Sequence, residues 1–209
     1  MRKFLTLFSA AALLATPALS HARGFDYDFS QAVNGPFKLE VVVSEDLAHR
    51  ANNLPKKLSD RSSRTRLNSG FANNGKYGER EIEYLLETMQ ERITKDFAKR
   101  DIQLSDSAST LIRVTINEVK PNRPTFNQLS VEPNLSFNSL GIGGAEISAV
   151  LLDASGNSIG NMEYDYYSNF DDFRFQARGS VWEDAKHAIS RFSKSATKKL
   201  AALGASGSS

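Results

Sequence analysis

The chain has 209 residues, among them 26 Lys or Arg, 24 Asp or Glu, 3 His and no Cys, and a formal net charge of +2. Without cysteine there is no disulfide, no thiol nucleophile, no thiolate metal site and no lipid-bearing cysteine, and so few histidines offer little for a zinc site or a histidine-activated serine. The length suits one domain with its own core.

Residues 1–22, MRKFLTLFSAAALLATPALSHA, place Arg2 and Lys3 before an apolar run at 4–15, then Pro17 and small residues, as in a secretory signal peptide. The run is too short to cross a bilayer, which takes roughly 20 residues. Cleavage is expected after Ala22, with Ser20 the alternative, leaving a soluble chain of 187 residues. Both signal charges are basic, so that chain carries 24 basic and 24 acidic residues, and any anionic partner must be recognised by where charge sits. The reading is an exported, periplasmic protein with no transmembrane segment and no lipid anchor.

Residues 23–35 read as an N-terminal extension, followed by a single domain at 36–202. FKLEVVV at 37–43 alternates and then runs β-branched, as a strand entering a core does. Residues 44–78 lose periodicity and read as a long polar, Arg-rich loop. A helix of about 20 residues follows, because Ile82, Leu85, Leu86, Met89, Ile93 and Phe97 recur at spacings of three and four. Glu79, Glu81 and Glu83 near its start and Lys95, Lys99 and Arg100 near its end suit the helix dipole.

The stretch 109–119 alternates Ile112, Val114 and Ile116 with Arg113, Thr115 and Asn117, which predicts a strand with one wet face. Pro121 and Pro124 end it, and residues 120–144 read as irregular. A hairpin is predicted from strands at 145–152 and 159–167, turning at Asp153-Ala154-Ser155-Gly156-Asn157 with Gly156 at positive φ, and with Met162, Tyr164 and Tyr166 on one face. A last helix at 180–200 shows the stripe Val181, Ala185, Ala188, Ile189, Phe192, Ala196 and Leu200, with Ser180 and Glu183 at capping-box spacing. Residues 203–209 read as a flexible tail. The sum is an α+β two-layer sandwich, an approximately four-stranded sheet with two helices on one face, in the order β-α-β-β-β-α. If the strands flanking the first helix are parallel, their crossover should be right-handed.

The glycines of SLGIGGAEIS, 139–148, match no nucleotide loop: Gly141, Gly143 and Gly144 precede a strand rather than a helix, and Glu146 would repel phosphate. Glycines at a strand entrance instead permit a bulge or a close backbone approach, so Gly143 or Gly144 is expected to have positive φ or to lie against another backbone. Residues 49–80 hold Arg50, Lys56, Lys57, Arg61, Arg64, Arg66, Lys76 and Arg80 against Asp60 and Glu79, with Arg61, Arg64 and Arg66 the candidate anion-binding residues. A solvated loop kept soluble by charge accounts for the same letters. The loop lacks the interleaved aromatics that stack bases, so nucleic acid is not the expected partner.

Glu163 and Asp165 fall on one strand face, with Asp171 and Asp172 beyond, and paired carboxylates serve glycoside cleavage or calcium binding. Outward carboxylates beside inward tyrosines explain them equally, and no calcium loop or catalytic signature occurs. His49 and His187 are far apart in sequence, His187 lies off its helix's apolar stripe, and Trp182 reads as a core or interface anchor. No catalytic residue, metal site or cofactor is assigned.

The layout KLEVVV, a long helix ending in FAKRDIQLSDSAST, LIRVTINEV, a hairpin around LLDASGNSIG and a closing helix resembles the exported envelope proteins of Gram-negative bacteria in the YajG-like class. More distantly it resembles the β-α-β-β-β-α domains of curli-secretion and TolB N-terminal type. The resemblance implies an envelope location and this fold, and no functional residue. YajG-like proteins are lipoproteins, and this chain has no cysteine to lipidate. The expected function is a non-enzymatic binding or accessory module whose partner is an envelope protein or an anionic envelope polymer. The alternatives are a carboxylate enzyme acting on an envelope polymer through Glu163, Asp165, Asp171 or Asp172, and a structural protein that self-associates through a sheet edge.

Overall fold

The computed structural model describes residues 24–54, 70–169 and 179–205. These form strands β1 (Phe25–Phe29), β2 (Phe37–Val43), β3 (Thr110–Lys120), β4 (Gly144–Leu152) and β5 (Ser158–Tyr167). The helices are α1 (Glu45–Asn52), α2 (Glu79–Ala98), α3 (Phe126–Val131) and α4 (Glu183–Ala202), with a short 3-10 turn at Gly70–Asn73. The strands make one mixed sheet in the order β1-β5-β4-β3-β2, in which β2 and β3 are parallel and the other pairs antiparallel.

The fold is α+β, but the expected sheet of about four strands in the order β-α-β-β-β-α is corrected to five strands among the described residues, and the two helices to four. The additional strand is β1, inside the expected N-terminal extension. Its FDYDF alternation is only five residues long and is secured by pairing with β5, Phe25 opposite Tyr164 and Phe29 opposite Gly160. Helix α1 interrupts the expected loop at 44–78, and α3 the irregular stretch at 120–144. Helices this short do not persist alone in water. They form here because the fold anchors them: Leu47 and Ala51 of α1 are fully buried, as is Gln128 of α3.

The two long helices lie where the apolar stripes predict. Ile82, Leu85, Met89, Ile93 and Phe97 of α2 and Ala185, Ala188, Ile189, Phe192, Ala196 and Leu200 of α4 are buried. They meet one sheet face made by Ile112, Val114, Ile116, Ala145, Ile147, Leu151 and Met162. Burial contributes about 1.5–3 kcal/mol per large apolar side chain, against a few tenths for a surface charge pair, so packing decides where these helices sit. The hairpin turn is also as predicted: Gly156 has φ 82°, and its N–H donates to Asp153 O at 3.0 Å.

Two terminal expectations change. Helix α4 begins at Glu183, with Trp182 rather than Ser180 as N-cap. Residues 203–205 of the expected tail are ordered, because Leu203 O accepts the Val33 N–H at 3.2 Å and Ala205 is buried. The remaining tail residues, 206–209, and the expected signal at 1–22 lie outside the described residues.

One buried carboxylate ties α2 to α4. Asp96 accepts from Arg92 Nε at 2.8 Å, Lys99 Nζ at 3.0 Å and Ser193 Oγ at 3.0 Å. Burial works against its charge, but the hydrogen bonds from Lys99, Ser193 and Arg92 outweigh it and hold the carboxyl below its usual range. A depressed folded-state value means that the stabilisation is complete above the unfolded-state pKa, about 3.9, and is lost as pH falls through the folded-state value. Thermal melts of Asp96→Asn should therefore show a deficit that is constant at pH 5–7 and shrinks at pH 3. A deficit independent of pH would refute the assignment.

Candidate functional site

The irregular segments gather at one end of the sheet, where β2, β3 and β5 finish and β4 begins. Helix α1, the turn at 70–78, residues 121–143 and the start of α4 all meet there. The strand register also brings three carboxylates into a row on the face away from α2 and α4: Glu118 lies opposite Glu146, and Glu146 opposite Asp165. Like charges directly opposite one another destabilise a sheet.

The neighbours offset this repulsion. The Arg50 guanidinium of α1 donates to Glu118. Burial disfavours the Arg50 charge, but its bond to Glu118 outweighs that and raises its pKa. Tyr167 donates its hydroxyl to Glu146 at 2.8 Å, and the Lys120 ammonium sits 4.7 Å from the Tyr167 ring centroid. Burial, followed by the Glu146 charge, pushes the Tyr167 phenol up, and burial does the same at Tyr77. Both hydroxyls are thereby held protonated as donors, Tyr77 sharing its single O–H between the carbonyls of Val119 at 3.0 Å and Ala72 at 3.2 Å.

Behind this row, two buried amides organise the loop. Asn122 donates to the Asp184 carboxylate and accepts the Asp184 N–H at 2.8 Å, so a residue 62 positions away caps the first turn of α4. Gln128 closes a capping box with Thr125 and reaches Phe71 O at 2.6 Å, Asn74 Oδ1 at 2.7 Å and Gly75 O at 3.1 Å. On this support stand Phe126 and Phe137, 75% and 66% exposed, with ring centroids 5.7 Å apart in an edge-to-face contact. Isolated exposed apolar residues are ordinary, whereas these two rings contact each other on a loop braced from beneath.

The sequence candidates fall as follows. Lys56, Lys57, Arg61, Arg64 and Arg66 lie outside the described residues, as do Asp171 and Asp172. Glu163 and Asp165 share a sheet face as expected, Glu163 exposed and opposite Asp26 of β1, and neither lines a described hollow. His49 and His187 are both exposed, His187 with its ring 5.1 Å from that of Tyr166. Trp182 is a core anchor, 3% exposed, edge-on to Tyr77 at 5.2 Å and donating its Nε1–H to Glu81. Gly144 lies against a neighbouring backbone as forecast, and Gly143 against the Asn122 side chain. The Phe126 and Phe137 pair was not legible in the sequence, since its two rings come from a short helix and a loop.

No protein-family model and no curated protein matches the chain. Among solved structures it is similar to a point variant of the PelC dodecamer from Paraburkholderia phytofirmans, with a TM-score of 0.39 and 8% identity over 82% of this chain and 94% of that one. It is also similar to the PelC dodecamer of that organism in a second crystal form, with a TM-score of 0.36, 8% identity and the same coverage.

Proposed function

We propose that this protein is an exported, non-enzymatic binding or accessory module of the cell envelope, acting through the end of the sheet that carries Phe126 and Phe137. The exposed, braced aromatic pair carries this reading. Leaving such a side chain in water forgoes about 1.5–3 kcal/mol of burial, which docking on a partner recovers, and aromatic residues are enriched where protein partners bind most tightly. Ring edges of this kind call for a pocket in an envelope protein. Arg61, Arg64 and Arg66 remain the candidate contact for an anionic polymer. The carboxylate-enzyme alternative gains nothing from Glu163 or Asp165, which sit on an open strand face.

The test is a photo-crosslinking p-benzoylphenylalanine replacing Phe126 in the full chain, exported in living cells. A discrete adduct from position 126 is expected, lost in Phe137→Ser and absent from a control at Ala154 in the distant hairpin turn. Phe126→Ser with Phe137→Ser should remain within about 0.5 kcal/mol of the parent stability, as surface substitutions do. Adducts equally strong from both positions, or from neither, would refute the reading, and an adduct of twice the chain mass would favour self-association.

A further inference from the structure

Glu79, Glu83, Glu87 and Glu91 follow one another at four-residue spacing, so they stack along one face of α2. All four are exposed, and none belongs to an ion pair among the described residues. Each successive pair costs the helix about 0.2–0.5 kcal/mol. The row borders two hollows of about 500 and 350 Å³ that share Leu86, the first floored by Val41 beside Glu87 and Glu91, the second floored by Ile82 and closed by Ala48 and Asn52 of α1.

Beside the first of these hollows runs β2, the last strand of the sheet. The N–H and C=O of Phe37 point away from β3, to Gln103 O at 2.9 Å and Ser105 N at 2.8 Å. Strand alternation turns those of Leu39, Val41 and Val43 the same way, and no described backbone group pairs with them there. A row of unused main-chain partners, an apolar floor and an acidic wall thus occupy one trough.

We propose that this trough binds an extended basic segment of a partner protein, added as a further strand on β2. Main-chain hydrogen bonds to Leu39, Val41 and Val43 would supply the pairing. Lys or Arg at alternate positions would lay their stems on Val41 and Leu86 and bring their charges to the glutamates. Charge complementarity and the open edge select this occupant over an apolar helix, which would leave both unused. The site is separate from the aromatic pair at the end of the sheet, so either proposal can fail alone.

The probe is a fluorescein-labelled ten-residue peptide of alternating Arg and Thr, titrated against the full mature chain by anisotropy. Saturable binding that weakens with salt is expected, together with at least a tenfold loss in Glu83→Gln, Glu87→Gln, Glu91→Gln. N-methylating one alternate set of peptide amides should abolish binding, and N-methylating the other should not, because one edge of an added strand faces β2. Equal binding of both N-methylated peptides, or no change in the triple Gln variant, would overturn the proposal. Tenfold tighter binding in Arg61→Ala, Arg64→Ala, Arg66→Ala would assign the trough to the chain's own basic segment and overturn the partner reading.

Discussion

Gly144→Val is expected to yield little or no folded protein. A Cβ at this position would stand 2.1 Å from Tyr166 O and 2.8 Å from Tyr167 Cα. The Tyr167 ring, 2.6 Å away, can turn aside, but the backbone of β5 cannot. Gly144 lies between Tyr167 on β5 and Lys120 on β3, so relief on one side means opening the β4–β5 pair. Opening it would also part Tyr167 from Glu146, restoring the repulsion along the carboxylate row.

Overpacking typically costs about 1–3 kcal/mol where side chains can adjust. A backbone clash in a central strand should exceed this, at about 4 kcal/mol or more, a large part of the roughly 5–15 kcal/mol that holds a domain together. The check is soluble yield and circular-dichroism melting beside Gly179→Ala, where nothing lies within 4 Å of the added Cβ and no change is expected. A Gly144→Val protein that melts within about 3 °C of the parent would show that the sheet yields more easily than this geometry allows.

The second large effect is expected at Gln128→Leu. The Gln128 side chain is fully buried, its Oε1 accepting the Thr125 N–H at 2.9 Å while Nε2 lies within reach of three acceptors. An amide has two N–H groups, so the long contact to Gly75 O shares one of them. Leucine has similar bulk and no polar atom, leaving three oxygens and one N–H buried without that partner. Each orphan costs about 1–3 kcal/mol, so even partial access of water leaves a loss of about 3 kcal/mol. Asn74 adds to this, since its Nδ2 has no partner among the described residues and Gln128 holds its Oδ1.

The damage should be local before it is global. Hydrogen exchange in Gln128→Leu should speed up at 71–78 and 125–131 while β3 and β4 keep their protection, and the Phe126 crosslink should weaken with it. Unchanged exchange at 71–78 would mean that Gln128 does not brace the loop.

How far these features could be read from the letters depends on the range of the interaction behind each. Strands β2, β3, β4 and β5 and helices α2 and α4 were legible because each carries its own periodicity, and burial against any apolar surface enforces the same spacing. The positive φ of Gly156 was legible for the same reason, as a turn is specified within five residues. Local patterns also implied that Glu163 and Asp165 share a face.

Partners from distant segments were not legible. The start of α4 looks like a capping box at Ser180 and Glu183, yet Asn122 caps it from 62 positions away, because the fold delivers a buried amide to its free N–H groups. Residues 120–144 lack periodicity, yet they are ordered because Gln128 finds acceptors at 71–75, more than 50 residues earlier. Glu79 and Glu83 suit the helix dipole equally well whether or not a strand runs alongside. It is the placement of β2 at the sheet edge, set by its parallel pairing with β3, that turns one acidic face of a helix into the wall of a trough. Short-range geometry is written in residue order, whereas which elements become neighbours is settled by how all the apolar faces are buried together.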